Sequence, residues 1–124
     1  MRKIFILIVF CLLLCSCNKN KETDLKKDNF NEMKEIMNNS AYVIIDVRTK
    51  EEYNTEHIVD AINIPYDEIS ENIDIDKNKT IFVYCKSGNR SKIAFNSLKK
   101  LGYVVYDLGS YSNIDLKKEN LTNN

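Results

Sequence analysis

A change of period at Cys85 restricts the fold of this chain more than any other feature. Before it, Ile81, Phe82, Val83 and Tyr84 form a short β-branched and aromatic run, as expected for a strand buried on both faces. After it, Ala94, Leu98 and Leu101 recur at helical spacing up to Gly102, a residue suited to the position just past a helix end. A strand, a tight loop opening with Cys85 and a helix are therefore predicted over 80–102. The loop carries Gly88, which can take left-handed backbone angles and so let several N–H groups turn toward one point above the sulfur. Together with the positive end of the following helix, Lys86 and Arg90, that point is an anion site over an exposed thiol of lowered pKa.

Strand and helix patterns alternate along the rest of the chain. Phe30, Met33, Ile36 and Met37 share one face of an amphipathic helix. A strand is predicted over 41–47, where an apolar run closes in Asp46-Val47-Arg48. Thr49 has the character of an N-cap, with Glu51 and Glu52 in the first turn of a short helix. A short strand over 61–64 stops at Pro65, and another short helix is expected over 66–73. Beyond Gly102, a strand over 103–106 and a helical stretch over 111–116 precede a disordered tail, 119–124. This alternation calls for an α/β fold: a parallel sheet, helices on both faces, and active groups at the C-terminal strand ends. One core is expected from 124 residues.

The N-terminal residues read differently. Met1-Arg2-Lys3 precedes an unbroken apolar run over 4–14, well short of the roughly 20 residues a bilayer span needs. Residues 1–16 are therefore assigned to a secretory signal peptide. Leu14-Cys15-Ser16-Cys17 resembles the bacterial lipobox, which implies diacylglyceryl attachment to Cys17 and cleavage before it. Lipid on Cys17 would anchor the protein to the extracytoplasmic side of a bacterial membrane, in the cell envelope. The plainer alternative is a signal peptide that releases a soluble protein. Residues 17–29 are polar and without periodicity, and read as a flexible tether. Of the four cysteines, Cys11, Cys15 and Cys17 lie in this region, leaving Cys85 as the lone thiol of the globular part, with no disulfide available there. A buried apolar cysteine is the bland account, and the sequence Lys86-Ser87-Gly88-Asn89-Arg90 after it counts against that. The balance of 18 basic and 18 acidic residues offers no polybasic surface for nucleic acid.

Three motifs in order resemble the rhodanese family. They are Asp46-Val47-Arg48 with Glu51-Glu52-Tyr53 behind it, His57-Ile58 ahead of Ala61-Ile62-Asn63-Ile64-Pro65, and Cys85-Lys86-Ser87-Gly88-Asn89-Arg90-Ser91. The likeness extends from Phe30 to Leu116, and a domain is assigned to 30–118. It implies a three-layer α/β sandwich around a five-stranded parallel sheet, and a sulfurtransferase cycle. In that cycle Cys85 takes sulfane sulfur from thiosulfate or a similar donor as a persulfide and passes it to a thiol or cyanide acceptor. Lys86, Ser87, Gly88, Asn89 and Arg90 would bind the substrate, Arg90 by a bidentate contact. Asp46 and Arg48 are read as structural support, with Arg48 pairing Glu51 or Glu52, and His57 as a brace for its loop. No cofactor or metal site is implied, since a lone His makes none, and a monomer is expected.

The chain departs from the family at Glu56 and Asp60, where glycine is often found. It departs again at Ser110 and Ile114, which stand where Gly-Gly and then a Trp are common. Cysteine phosphatases also place a Cys-to-Arg loop at a strand end, but theirs holds one residue more than Lys86 to Asn89. A non-catalytic, membrane-tethered persulfide carrier or partner-binding module would keep every loop residue, and is the alternative to an enzyme.

Overall fold

The computed structural model describes residues 19–121, with side chains from 29 onward. The signal segment, Cys17 and residues 122–124 lie outside the described residues. Two compact units divide the chain, 1–32 and 33–124. What is described of the first is the polar start of a helix, α1 (Lys19–Asn39). The segment read as a tether is thus helical from Lys19 onward. Lys and Glu are good helix formers and lengthening an existing helix costs little per residue, but a stretch without an apolar face leaves no periodic signal.

The second unit runs, after the end of α1, through β1 (Tyr42–Asp46), α2 (Lys50–Thr55), β2 (His57–Ile58) and β3 (Ile62–Asn63) to a 3₁₀ turn, Tyr66–Glu68. Then follow β4 (Thr80–Cys85), α3 (Asn89–Lys100), β5 (Val105–Ser110), a second 3₁₀ turn, Tyr111–Asn113, and β6 (Lys118–Glu119). Four strands make one parallel sheet in the order β3-β1-β4-β5. Among the described residues this is one strand fewer than the five-stranded sheet the resemblance implied. The short β2 instead pairs antiparallel with β6 as a separate ribbon, His57 opposite Glu119. Glu119 therefore belongs to the folded domain rather than to the tail. The expected helix over 66–73 is a single 3₁₀ turn, because Ser70 accepts from the backbone of Asn72 and Ile73 and draws the chain into a local turn.

The central strand β4 is buried on both faces, as its uninterrupted apolar run requires. On one face Ile81, Val83 and Cys85 join Ile45, Val105 and the helix residues Ala94 and Leu98 in a single core. Each such aliphatic side chain contributes about 1.5–3 kcal/mol by leaving water. On the other, Phe82 stacks on Tyr106 at 5.4 Å and meets Tyr42 edge-on at 5.9 Å. Tyr84 stacks on Tyr111 there at 5.7 Å.

The helix expected from Met33, Ile36 and Met37 has those side chains half-buried, and Lys34 lies 3.4 Å from Asp115. The two positions where the family often has glycine behave differently. Glu56 is in extended backbone, open to any residue, whereas Asp60 is left-handed at φ 65°. Aspartate tolerates that region better than most side chains.

Candidate active site

The strand order reverses between β1 and β4, so the connections leaving their C-terminal ends run in opposite directions and leave a crevice between them. Both ends carry motif residues: Asp46-Val47-Arg48 follows β1, and Cys85 closes β4.

Cys85 is 0% exposed, which corrects the expectation of an open sulfur. It ends the row begun by Ile81 and Val83, and helix α3 packs over that face. Its surroundings on the loop side are nevertheless polar. The Gly88 N–H donates to Sγ at 3.0 Å, with Gly88 held at φ 96°. The sulfur lies at the N-terminal start of α3, whose N-cap residue, Gly88, offers no side-chain cap, and the Ser91 and Ser87 backbone groups lie close enough to favour a negative charge on it. Burial pushes the thiol up; the donors at Ser91, Gly88 and Ser87 outweigh it, and the thiol lies below its ordinary value. The leading stabilisers are therefore these hydrogen bonds rather than Lys86 and Arg90.

Lys86, Ser87 and Asn89 are exposed above the sulfur, while Gly88 and Arg90 are half-buried. Arg90 is already held: its Nη1 and Nη2 donate to the two oxygens of Glu52 at 2.8 and 3.0 Å. Glu52 also closes a capping box with Thr49 at the start of α2. The Arg90 contact, opposed by burial and helped by Thr49, holds its carboxyl at about 2.

Asp46 and Arg48 form a separate unit. Asp46 is 0% exposed and Arg48 6%. The carboxylate accepts from Arg48 N at 2.9 Å, from Nε at 3.0 Å and Nη2 at 2.6 Å, and from the Tyr84 hydroxyl at 2.7 Å. Arg48 Nη2 also donates to the Glu56 carbonyl at 2.7 Å, and the guanidinium lies over the Tyr111 ring at 4.5 Å. Arg48 thus pairs with Asp46, not with Glu51 or Glu52 as expected, because Glu52 is committed to Arg90. His57 is buried, stacked on Tyr53 at 3.8 Å, with Nδ1 2.8 Å from the Tyr53 carbonyl and Nε2 3.2 Å from Glu119. Its ring braces the β2–β6 ribbon. Among the described residues no group of three or more His, Cys, Asp or Glu is placed to hold a metal.

Three residues of the site escaped the sequence reading. Ser91 is fully buried and donates from Oγ to the Gly88 carbonyl at 3.1 Å; a serine three residues after the loop glycine was a usable signal. Glu52 had its local capping role visible, which gave no reason to seek a partner far along the chain. Ser110 reaches the Lys86 carbonyl at 2.7 Å, and only its departure from Gly-Gly marked it.

A strand-terminal cysteine whose sulfur lies at the start of the next helix, on a parallel sheet of this order, defines a rhodanese-type domain. The family model described as a rhodanese-like domain matches residues 29–116, and the chain belongs to that family. It is 42% identical over 78 residues to thiosulfate sulfurtransferase PspE of Escherichia coli, a match covering 60% of this chain and 75% of that protein. It is 34% identical over 89 residues to the adenylyltransferase and sulfurtransferase uba4 of Ogataea parapolymorpha, covering 70% of this chain but only 23% of that protein. Among solved structures, a rhodanese with anions from E. coli superposes with a TM-score of 0.61 at 40% identity, over 64% of this chain and 99% of that one.

Proposed function

We propose that the protein is a thiosulfate sulfurtransferase working through a Cys85 persulfide. The Cys85 thiolate attacks the outer sulfur of thiosulfate. A new S–S bond forms to Cys85 as the S–S bond of thiosulfate breaks, and sulfite leaves with its electron pair. Cyanide or a thiolate then takes the outer sulfur, returning Cys85 as thiolate. No redox partner and no net proton transfer are needed with cyanide, so the step calls for anion stabilisation rather than an acid–base pair.

The observation that carries this reading is the sulfur at the N-terminal start of α3, where the Gly88 N–H donates to it at 3.0 Å; the lowered thiol agrees with it. The same donor suits the outer sulfur of a persulfide. The sulfurtransferase names of the relatives support the class of chemistry, and the E. coli rhodanese, solved with anions, supports an anionic substrate. Lys86 and Arg90 then hold the sulfonate and the departing sulfite, and Ser87 and Asn89 supply further donors.

The decisive assay is thiosulfate-dependent formation of thiocyanate from cyanide, with mass analysis for one added sulfur on Cys85. Cys85→Ala is expected to abolish both; full activity in that variant would end the proposal. The complete enclosure of Cys85 favours a second reading, a carrier that shields its persulfide until a partner opens the loop. One equivalent of sulfur loaded without multiple turnover would select it. Membrane attachment is proposed alongside either reading, on the apolar run 4–14 and the lipobox-like Leu14-Cys15-Ser16-Cys17. Fatty-acid labelling lost in Cys17→Ser is the expected result; an unlabelled parent protein would refute the attachment, and label that survives the substitution would refute its placement on Cys17.

A further inference from the structure

We propose that Ser110 is a positioning residue for Cys85: by gripping the Lys86 carbonyl, it holds the loop segment from which the Gly88 N–H reaches the sulfur, and so favours the thiolate. The consequence for turnover rests on the sulfur-transfer reading above; the consequence for the thiol does not.

The carbonyl of Lys86 and the N–H of Ser87 belong to one planar trans unit and point in opposite directions. Ser110 Oγ donates to the Lys86 carbonyl at 2.7 Å from the end of β5. The Ser87 N–H is thereby turned away from Ser110, and at the next residue the Gly88 N–H donates to the Cys85 sulfur at 3.0 Å. The other peptide of the cradle is held differently. The Gly88 carbonyl accepts from Ser91 Oγ at 3.1 Å and from Lys92 N at 3.3 Å, within the start of α3. The Lys86 carbonyl precedes the helix, and its restraint reaches it from the neighbouring strand.

A hydroxyl has one proton, and that of Ser110 is given to Lys86. In the 3.0 Å contact between Ser110 Oγ and Ser112 Oγ, Ser112 is therefore the donor. This second hydrogen bond fixes the rotor of the first hydroxyl.

A bulge brings Ser110 to this place. β5 pairs Asp107 with Val83 and then Gly109 with Tyr84, so Leu108 is the extra residue, and Ser110 falls opposite Cys85. Gly109 stands at φ 77°, and its N–H is taken by the Asp107 carboxylate at 2.8 Å. In an unbroken register Gly109 would face Cys85 and Ser110 would lie one step further along, with its side chain on the wrong side. The turn chemistry of Asp107 and Gly109 thus places one hydroxyl on one peptide of the loop.

The test uses the full chain, with alkylation of Cys85 by iodoacetamide followed residue by residue by peptide mass spectrometry across pH. Ser110→Ala is expected to raise the midpoint for Cys85 by about 0.5–1 pH unit, as the loss of one hydrogen bond feeding a charged group would. Ser110→Thr, which keeps the hydroxyl, should restore it, and Ser112→Ala should give a smaller shift in the same direction. With thiosulfate, kcat/KM of Ser110→Ala should fall about three- to tenfold below the midpoint and recover toward the parent above it. A folded Ser110→Ala protein with an unchanged midpoint, or a shift that threonine does not restore, overturns the proposal. If Ser110→Ala does not fold, Ser112→Ala decides, and an unmoved midpoint there overturns it. Absence of sulfur transfer in the parent would overturn the functional reading, while the alkylation midpoint still decides the role of Ser110.

Discussion

Asp46→Ala should cost the domain about 3–5 kcal/mol of stability while leaving the chemistry at Cys85 almost intact. The magnitude follows from what the substitution strands. Arg48 is 6% exposed, and its Nε and Nη2 both donate to the Asp46 carboxylate. With Asp46 gone, the guanidinium keeps the Glu56 carbonyl and the Tyr111 ring but no counter-charge, and the Tyr84 hydroxyl loses its acceptor. An orphaned buried charge costs several times more than an intact pair contributes, and domains of this size hold only about 5–15 kcal/mol in total. Urea denaturation of the parent, of Asp46→Ala, of Arg48→Met and of the double variant measures it. The double variant lacks the stranded charge and should recover at least about 2 kcal/mol relative to the sum of the single losses. Turnover per folded molecule should stay within about threefold, since the Asp46 carboxylate accepts from Arg48 and Tyr84 and from no group of the 86–90 loop, and persulfide transfer needs no proton relay. A loss under about 1 kcal/mol, or strict additivity, would refute the stranded-charge argument. A hundredfold loss of turnover in folded Asp46→Ala would instead give the pair a direct part in the chemistry.

Gly88→Ala tests the loop torsion: a Cβ there meets nothing nearer than 3.9 Å, so the effect comes from φ 96° alone. It should cost about 1–2 kcal/mol by melting temperature and lower turnover, because the relaxed loop withdraws its N–H from the sulfur. Glu52 makes stability acid-sensitive. Its folded carboxyl is held at about 2 against the ordinary 4.5, so its contribution is complete above the higher value and drains as pH falls through the lower. After allowance for solvent screening this is about 1–2 kcal/mol, and acid unfolding of Glu52→Gln should lack that component of the curve. The Cys85 thiol, held below its ordinary value, should give a kcat/KM for thiosulfate that rises tenfold per pH unit at low pH and levels off below the midpoint of a free cysteine. A plateau reached only above about pH 8.5 would contradict the hydrogen-bonded cradle.

Much of this architecture was legible in short stretches. The period change at Cys85, the unbroken run of β4, and Thr49 with Glu52 three residues on are local patterns, and local hydrogen bonding answers to them. The helix over Phe30 to Met37 was visible for its apolar face; its polar extension back to Lys19 was not, because periodicity registers only a face that packs. The strand predicted over 103–106 begins at Val105 for a related reason. Tyr103 is buried, as a strand residue would be, but its N–H belongs to the helix end at the Leu98 carbonyl.

What the amino-acid order determined by itself was the alternation of elements, the α/β class, and the place of a nucleophilic cysteine between a strand and a helix. Tertiary structure alone decided which charges meet, how deeply the sulfur lies and which hydroxyl steers its loop. Arg90 finds Glu52, Arg48 finds Asp46, and Ser110 finds Lys86 only once four strand ends are brought to one edge of the sheet. The physical reason is range. Torsional preference and side-chain period act over a few neighbouring residues, whereas the partner of a buried charge is whichever group the strand order and a one-residue bulge carry within about 3 Å.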